Sequence, residues 1–243
     1  MKAIILAAGA GRRLGVADPK CMIDVGGMSI IHRQLAAFRA AGVEQFVIVV
    51  GYAREQLQRH LAPLADQPGR VRFIVNPRYA ETNTIYSLYL AREEIDDTFF
   101  YANADVVFDR RLIERLQAAA CASALAVETA CCGQEEVKVI VRRGRITRIS
   151  KQLDPADCLG EFVGVARFGG ELAPAFVDTL TTLVEMEGVV DDYFERAVDR
   201  LCADWTLTPV DISDLPCREI DFAEDLDIVR RHIAGQLRGT DEG

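Results

Sequence analysis

The sequence has no apolar run near the roughly 18–20 residues that a membrane-spanning helix requires, so no membrane partner is expected. It is also short of cations. Lys and Arg number 28 against 37 Asp and Glu, a net charge of −9. That balance excludes a general nucleic-acid binder, which needs a basic face, but leaves room for a small anionic substrate held by a few local cations. The seven cysteines form no Cys-x-x-Cys and no Cys/His ligand spacing. This excludes a zinc ribbon and a disulfide framework and predicts reduced thiols in a cytoplasmic protein. Cys131 and Cys132 read as small hydrophobes at a strand end. Cys21 stands beside Lys20, which offers either a lowered pKa or plain packing. Histidine is scarce: His32, His60 and His232 fall on predicted helices without metal or triad partners, so no chemistry is assigned to them. There are no repeats and no low-complexity segments. The short apolar segment after Lys2 runs into a glycine loop rather than a cleavage pattern, so no secretory leader is expected.

Half of the residues are hydrophobic, enough for a core in one domain of this length. Lys2–Leu6 reads as a strand. Phe46–Val50 is a continuous apolar run closed by Gly51, as in a strand buried on both faces. Between them Ile31, Leu35 and Phe38 recur at helical spacing, with Ser29 as N-cap and Gly42 at the C-terminal turn. Val71–Val75 is a further strand, 84–94 a helix, and Phe99–Ala102 a strand ending in Asn103-Ala104-Asp105. After about residue 130 the pattern changes. Val137–Val141 and Arg145–Ile149 flank Arg142-Arg143-Gly144, a hairpin signal. Phe162–Phe168 is a strand, and two amphipathic helices follow, with Leu172, Phe176, Leu180 and Leu183 on one and Phe194, Val198 and Leu201 on the other. Thr206–Val210 is an expected edge strand and Asp221–Leu237 a closing helix. The prediction is an α/β fold: a Rossmann-like, doubly wound, mostly parallel sheet flanked by helices, with a small antiparallel β region in the second half. Residues 1–238 form one domain with halves 1–130 and 131–238, and 239–243 is expected to be a disordered tail.

The segment Leu6-Ala7-Ala8-Gly9-Ala10-Gly11-Arg12-Arg13, with Pro19-Lys20 shortly after, carries the chemistry. A buried strand that opens into a small-residue loop presents backbone N–H groups to phosphate, and two cations beside it neutralise the charge. Gly9 and Gly11 are expected to adopt positive φ and to admit close backbone approach. A dinucleotide loop does not fit, because its third glycine would be Leu14 and the second strand ends in Val50-Gly51-Tyr52 without an acidic group. No GxxxxGK[ST] is present. Two carboxylates further along, Asp105 and Asp221, stand at predicted strand ends. Taken singly, Asp105 also reads as a turn residue and Asp221 as a helix cap.

The stretch from Lys2 to Lys20 resembles the signature of the nucleotidyltransferase superfamily that includes the sugar-1-phosphate nucleotidylyltransferases. The resemblance implies that Leu6, Ala7, Ala8, Gly9 and Gly11 wrap a nucleoside triphosphate and that Arg13 and Lys20 hold its phosphates. It implies that Asp105 and Asp221 bind Mg2+ and that Lys151 contacts the acceptor phosphate. The segment 76–90 resembles that of bacterial choline-phosphate and 2-aminoethylphosphonate cytidylyltransferases, which places Asn83 and Ser87 by the nucleotide; capping and a first helical turn are their plainer roles. Val190-Asp191-Asp192-Tyr193-Phe194 resembles the acceptor segment of the choline-phosphate enzymes. With Glu161, the carboxylates Asp191 and Asp192 and the ring of Tyr193 form a candidate ammonium cradle; an acidic helix start is the alternative.

The resulting expectation is a Mg2+-dependent cytidylyltransferase that joins CMP from CTP to a small phosphate or phosphonate acceptor and releases pyrophosphate. Residues 1–130 become the nucleotide half and 131–238 the acceptor half. Two other readings stay open: a sugar-1-phosphate enzyme using UTP or dTTP, and a catalytically silent nucleotide-binding regulator on the same fold. Self-association is not legible.

Overall fold

A computed structural model describes residues 1–11, 18–65, 70–129 and 132–237. Cys131 and the 239–243 tail lie outside the described residues. In chain order the elements are β1 (Lys2–Ala7), β2 (Asp24–Val25), β3 (Met28–Ser29), α1 (Ile30–Ala40), β4 (Gln45–Val50), α2 (Arg54–Ala65), β5 (Val71–Val75), α3 (Thr84–Leu90), β6 (Phe99–Asn103), β7 (Val106–Phe108), α4 (Arg111–Ala118) and β8 (Ala124–Glu128). Then follow β9 (Lys138–Arg142), β10 (Arg145–Ser150), β11 (Gly160–Phe168), α5 (Ala173–Thr181), α6 (Glu195–Leu201), β12 (Thr208–Asp211), β13 (Cys217–Glu219), α7 (Ala223–Ile228) and α8 (Ala234–Leu237).

The strands β6-β1-β4-β5 run parallel, as the alternation of strand and helix requires. The antiparallel region of the second half joins this same sheet. β11 pairs antiparallel with β6 and carries β9, β10 and β8 beyond it. β12, the expected edge strand, pairs among the described residues with β8 alone and runs parallel to it.

Alternation along the central strands divides the core in two. Ala3, Ile5 and Ala7 of β1 face α1, α2 and α4, packing with Leu35, Phe38, Leu57, Leu61 and Leu112. Ile4 and Leu6 face α3, α5 and α6, packing with Ile85, Leu88, Phe176, Leu180 and Val198. Helices on both faces make the sheet doubly wound. Burying one such aliphatic or aromatic side chain stabilises by about 1.5–3 kcal/mol.

Local signals hold where the sequence placed them. The Ser29 hydroxyl accepts from the His32 N–H. At the other end of α1, Gly42 has φ +79° and its N–H bonds the Arg39 carbonyl, while the Val43 N–H reaches Phe38 O. That pair of bonds is a Schellman ending, which needs a left-handed residue where glycine stands. Arg143 and Gly144 both take positive φ at the β9–β10 turn, the twist-matched geometry of a two-residue hairpin.

Strand ends shift by one or two residues from expectation, and two helix boundaries differ for a visible reason. The helix predicted over 84–94 stops at Leu90, where the Ala91 N–H turns to Leu88 O and a tighter 3-10 turn follows at Arg92–Glu94. The closing helix starts at Ala223, not Asp221, because the Asp225 carboxylate accepts the N–H groups of Asp221 and Phe222 and holds them ahead of the helix. Among the described residues no helix is long and apolar enough to cross a membrane.

Candidate active site

The C-terminal ends of β1, β4 and β6 open on one side of the sheet, where parallel sheets place their ligands. A cleft of about 480 Å³ lies there, lined by Leu6, by the loop from Ala8 to Gly11, by Lys20, by residues around Asn83 and by Asp105 and Asp221.

The glycine loop behaves differently at its two glycines. Gly11 takes φ +57°, and a Cβ there would sit 2.6 Å from Lys20 Cγ, so the loop packs onto the lysine stem. Gly9 does not take positive φ, contrary to expectation. A Cβ on it would meet nothing within 4 Å and would project into the open cleft region it lines. Backbone access rather than backbone conformation explains that glycine. A third glycine, Gly51, brings the end of β4 against the loop: its missing Cβ leaves room for Ala8 O and Tyr79, and the Tyr52 N–H bonds Ala8 O. Arg13, the second cation assigned to the loop, lies outside the described residues.

Asp105 occupies the turn between β6 and β7. Asp221 follows β13, which pairs antiparallel with β7. The Ile220 N–H bonds Asp105 O and so locks the two segments side by side. Asp105, Glu219 and Asp221 each offer an oxygen within 4.8 Å of the others. Lys20 Nζ lies 2.5 Å from Asp221 Oδ1 and 3.6 Å from Asp105 Oδ2. Burial acts to lower the Lys20 pKa, but Asp105, Asp221 and Glu219 hold it above the ordinary lysine value. Burial raises the Asp105 carboxyl; Lys20 opposes this and Asp221 adds to it. Glu219 is pushed up to about 8 by the protein packed around it and by repulsion from Asp105 and Asp221. Its side chain reaches the open cleft, so repulsion carries more weight there than burial. Three carboxylate oxygens held this close together form a site that favours a cation.

Glu219 was not singled out as a ligand from sequence. The signal was available: in Glu219-Ile220-Asp221 the first and third side chains share a face of an extended segment while Ile220 is buried. Asp225 was also missed. Besides its backbone bonds to Asp221 and Phe222, it binds Arg218 and so fixes the approach of Asp221.

On the far wall Asn76 is 1% exposed; its amide donates to the hydroxyls of Thr82 and Ser87, and it accepts from the Arg78 N–H. Ser87 lines the cleft with its hydroxyl held by Asn76. Asn83 also lines it, and its Oδ1 caps α3 through the Thr84 N–H. The capping role and a place by the cleft therefore coexist.

Lys151 faces the cleft with Nζ 4.3 Å from the Tyr193 ring centroid. It also borders a second cavity of about 450 Å³, which shares Lys151, Glu219 and Asp221 with the first. Glu161 lines this second cavity with Glu128 and Glu136. Burial and the charges of Glu136 and Glu128 push Glu161 up to about 7. The structure does not bring Asp191 and Asp192 into either lining. Asp191 is exposed, and Asp192 accepts from the Tyr193 N–H and pairs with Arg196. Tyr193 lines the first cleft.

Two thiol and histidine expectations resolve here. Cys21 is buried and its thiol is pushed up to about 12, so it packs. The histidines are not all solitary: Ser29 Oγ lies 2.7 Å from His32 Nδ1 and 2.9 Å from His60 Nε2.

A MobA-like NTP transferase domain model matches residues 3–163, which includes the glycine loop, Lys20 and Asp105. The chain belongs to that family. Over 129 residues it is 40% identical to the CMP-5'-(3-aminopropyl)phosphonate synthase of Streptomyces rubellomurinus, covering 52% of this chain and 20% of that protein. Over 102 residues it is 38% identical to the choline-phosphate cytidylyltransferase of Streptococcus pneumoniae, covering 41% and 42%. The chain thus matches less than half the length of each of these two relatives. The solved structure of the CTP:phosphocholine cytidylyltransferase from S. pneumoniae superposes with a TM-score of 0.77 at 23% identity, over 94% of this chain and 97% of that one. The inositol-1-phosphate CTP transferase from T. maritima superposes with a TM-score of 0.80 at 21% identity, over 100% and 96%. At these identities the superpositions show a shared nucleotidyltransferase fold.

Proposed function

We propose that this domain transfers a cytidylyl group from CTP to a small phosphate or phosphonate that carries an amine or ammonium at its other end. The observation that carries the proposal is the meeting of Asp105, Asp221 and Lys20 at the mouth of a glycine loop. An acceptor oxygen, already anionic at neutral pH, attacks the α-phosphorus of CTP in line. The bond from that phosphorus to the α,β-bridging oxygen breaks, and pyrophosphate leaves with the electron pair. No strong general base is needed, so catalysis is positioning and charge neutralisation.

The donor set of Asp105, Asp221 and Glu219 is all oxygen and fits Mg2+, which takes one or two carboxylates together with phosphate oxygens. When bound, that ion supplies neutralisation of charge on the reacting phosphates. Lys20 exchanges its carboxylate partners for the β,γ-phosphates, and Arg13 is assigned the same role from the sequence. The loop from Leu6 to Gly11 offers its backbone to the nucleotide. Asn83 and Ser87, which line the cleft, are assigned to the base or ribose. Lys151 holds the acceptor's phosphorus end.

The second cavity supports a cationic tail on the acceptor. Glu128, Glu136 and Glu161 lie on its wall, and it opens beside Lys151. An acceptor that spans from Lys151 into this cavity places a positive group among carboxylates. The names of the relatives, an aminopropylphosphonate synthase and a choline-phosphate enzyme, agree with that chemistry.

The test is pyrophosphate release with Mg2+, with four nucleoside triphosphates crossed against phosphocholine, 2-aminoethylphosphonate, 3-aminopropylphosphonate, inositol phosphate and sugar-1-phosphates. A signal confined to CTP and a cationic acceptor is expected. A signal with UTP or dTTP and a sugar phosphate overturns the acceptor assignment, and no release with any pair overturns the enzyme reading.

A further inference from the structure

Gln34 is a polar side chain in the apolar interior, 1% exposed, on the face of α1 that packs under the sheet. Its Nε2 donates to Asn103 O at 2.8 Å and to Val106 O at 2.8 Å. Those two carbonyls flank Ala104 and Asp105, the turn that presents the carboxylate to the cleft. The opposite amide orientation would set Oε1 against two acceptors, so the bonding pattern fixes which atom is which. The Oε1 itself is buried and has no partner among the described residues. An orphaned buried acceptor costs stability. The placement is therefore poor for the core alone, and its return lies in the turn it ties.

The same turn is held from other sides. The Ala104 N–H bonds Leu6 O at the root of the glycine loop, and the Ile220 N–H bonds Asp105 O beside Asp221. Asn103 Oδ1 accepts from the Tyr101 hydroxyl. Gly164, at φ +78°, lets β11 pass close to the Asn103 amide. Gln34 is the side chain that spans the turn from Asn103 to Val106, and one amide with two fixed hydrogens sets the distance between the strand ends. Few other side chains deliver two donors from one atom to carbonyls three residues apart.

We propose that Gln34 is a positioning residue for the carboxylate site: it fixes the turn that carries Asp105 and thereby sets the affinity for a divalent cation. This rests on the reading of Asp105 and Asp221 as metal-binding groups under the proposed function. Groups that orient metal-binding carboxylates contribute about 10–100-fold to affinity.

The test uses Mn2+ as the probe, titrated by electron paramagnetic resonance into the whole protein with CTP present and no acceptor. Wild type, Gln34→Leu and Asp105→Asn are compared, each with a thermal melt. Gln34→Leu is expected to melt cooperatively and to bind Mn2+ about tenfold or more weakly. Its lost turnover should return at saturating Mn2+, which a general packing defect would not allow. Equal Mn2+ affinity in Gln34→Leu and wild type overturns the inference and leaves the functional reading intact. No Mn2+ binding by wild type overturns both, whereas tight wild-type binding without cytidylyl transfer to any acceptor overturns the functional reading alone. If Gln34→Leu does not fold, Gln34→Glu, which offers at most one hydrogen, takes its place. A loss of the same sign supports the proposal, and unchanged affinity overturns it.

Discussion

At the scale of single residues, the glycines and the charged groups of the cleft make separable demands. Gly9 borders open space, so Gly9→Ala should leave the thermal midpoint unchanged while raising the KM for CTP, since the methyl enters the cleft. Gly51→Ala should do the reverse. Its Cβ would lie 2.6 Å from Tyr79 Cβ and 2.7 Å from Ala8 O, and such overpacking costs about 1–3 kcal/mol. Denaturant melts paired with CTP kinetics distinguish the two, and equal effects on both readouts would refute the assignment. Removing charge from the centre, by Asp105→Asn or Lys20→Ala, should reduce turnover by about tenfold or more with the melt retained. Near-normal rates in either variant would remove that residue from the chemistry. Glu161→Gln should raise the KM for a cationic acceptor and leave that for CTP close to wild type. An unchanged acceptor KM would place the cationic group elsewhere.

At the scale of elements, α1 and α2 meet through a polar contact that neither helix announces alone. His32 on α1 and His60 on α2 share the Ser29 hydroxyl, with ring centroids 4.5 Å apart. Burial lowers both imidazole pKa values, and for His32 the charge of His60 and then Arg39 lowers it further. The folded state therefore favours two neutral rings. The stability from this contact is fully present above the unfolded value of about 6.5 and is lost as pH falls through the depressed folded values. The thermal midpoint should drop between pH 7.5 and pH 5.5, and His60→Gln should flatten that drop. Parallel declines in wild type and variant would show that other groups carry it. Elements also show where periodicity stops informing. The helix expected over 84–94 ends four residues early, at Leu90, because Ala91 tightens the last turn and no strong breaker marks it.

At the scale of the whole molecule, the site joins both halves of the chain. Asp105 closes β6 of the parallel half, while Asp221 arrives after β13 and is held beside it through β7 and the Ile220 N–H. A small hydrophobic cluster of Val25, Ile30, Val107, Ile220, Val229 and Leu237 backs this junction. A ligand that bridges the two aspartates should therefore stabilise the entire fold. CTP with Mg2+ at 100 times its dissociation constant is expected to add about 2.7 kcal/mol. A rise in thermal midpoint with both, abolished by chelating the metal, checks this. A rise with CTP that survives chelation would exclude a metal-bridged nucleotide.

The sequence by itself determined the alternating architecture, because buried parallel strands must be apolar throughout and their helices amphipathic, and both patterns are local. It displayed the glycine loop, Lys20 and the two aspartates as short local motifs, while their meeting in one cleft came from contacts between distant parts of the chain. It also displayed Glu219, two residues before Asp221, although the alternation that aims both side chains one way becomes decisive only once a strand is known to run there. Tertiary structure decided the rest. Gln34 looks like any helix residue until α1 is laid under the turn after β6. Glu128 and Glu136 look like scattered surface acids until β8 and the loop before β9 bring them beside Glu161 of β11 around one cavity. Asp191 and Asp192 look like a cradle until Asp192 turns to Arg196. Contacts between residues distant in the chain depend on how the sheet orders its strands, and no local pattern of side chains encodes that order.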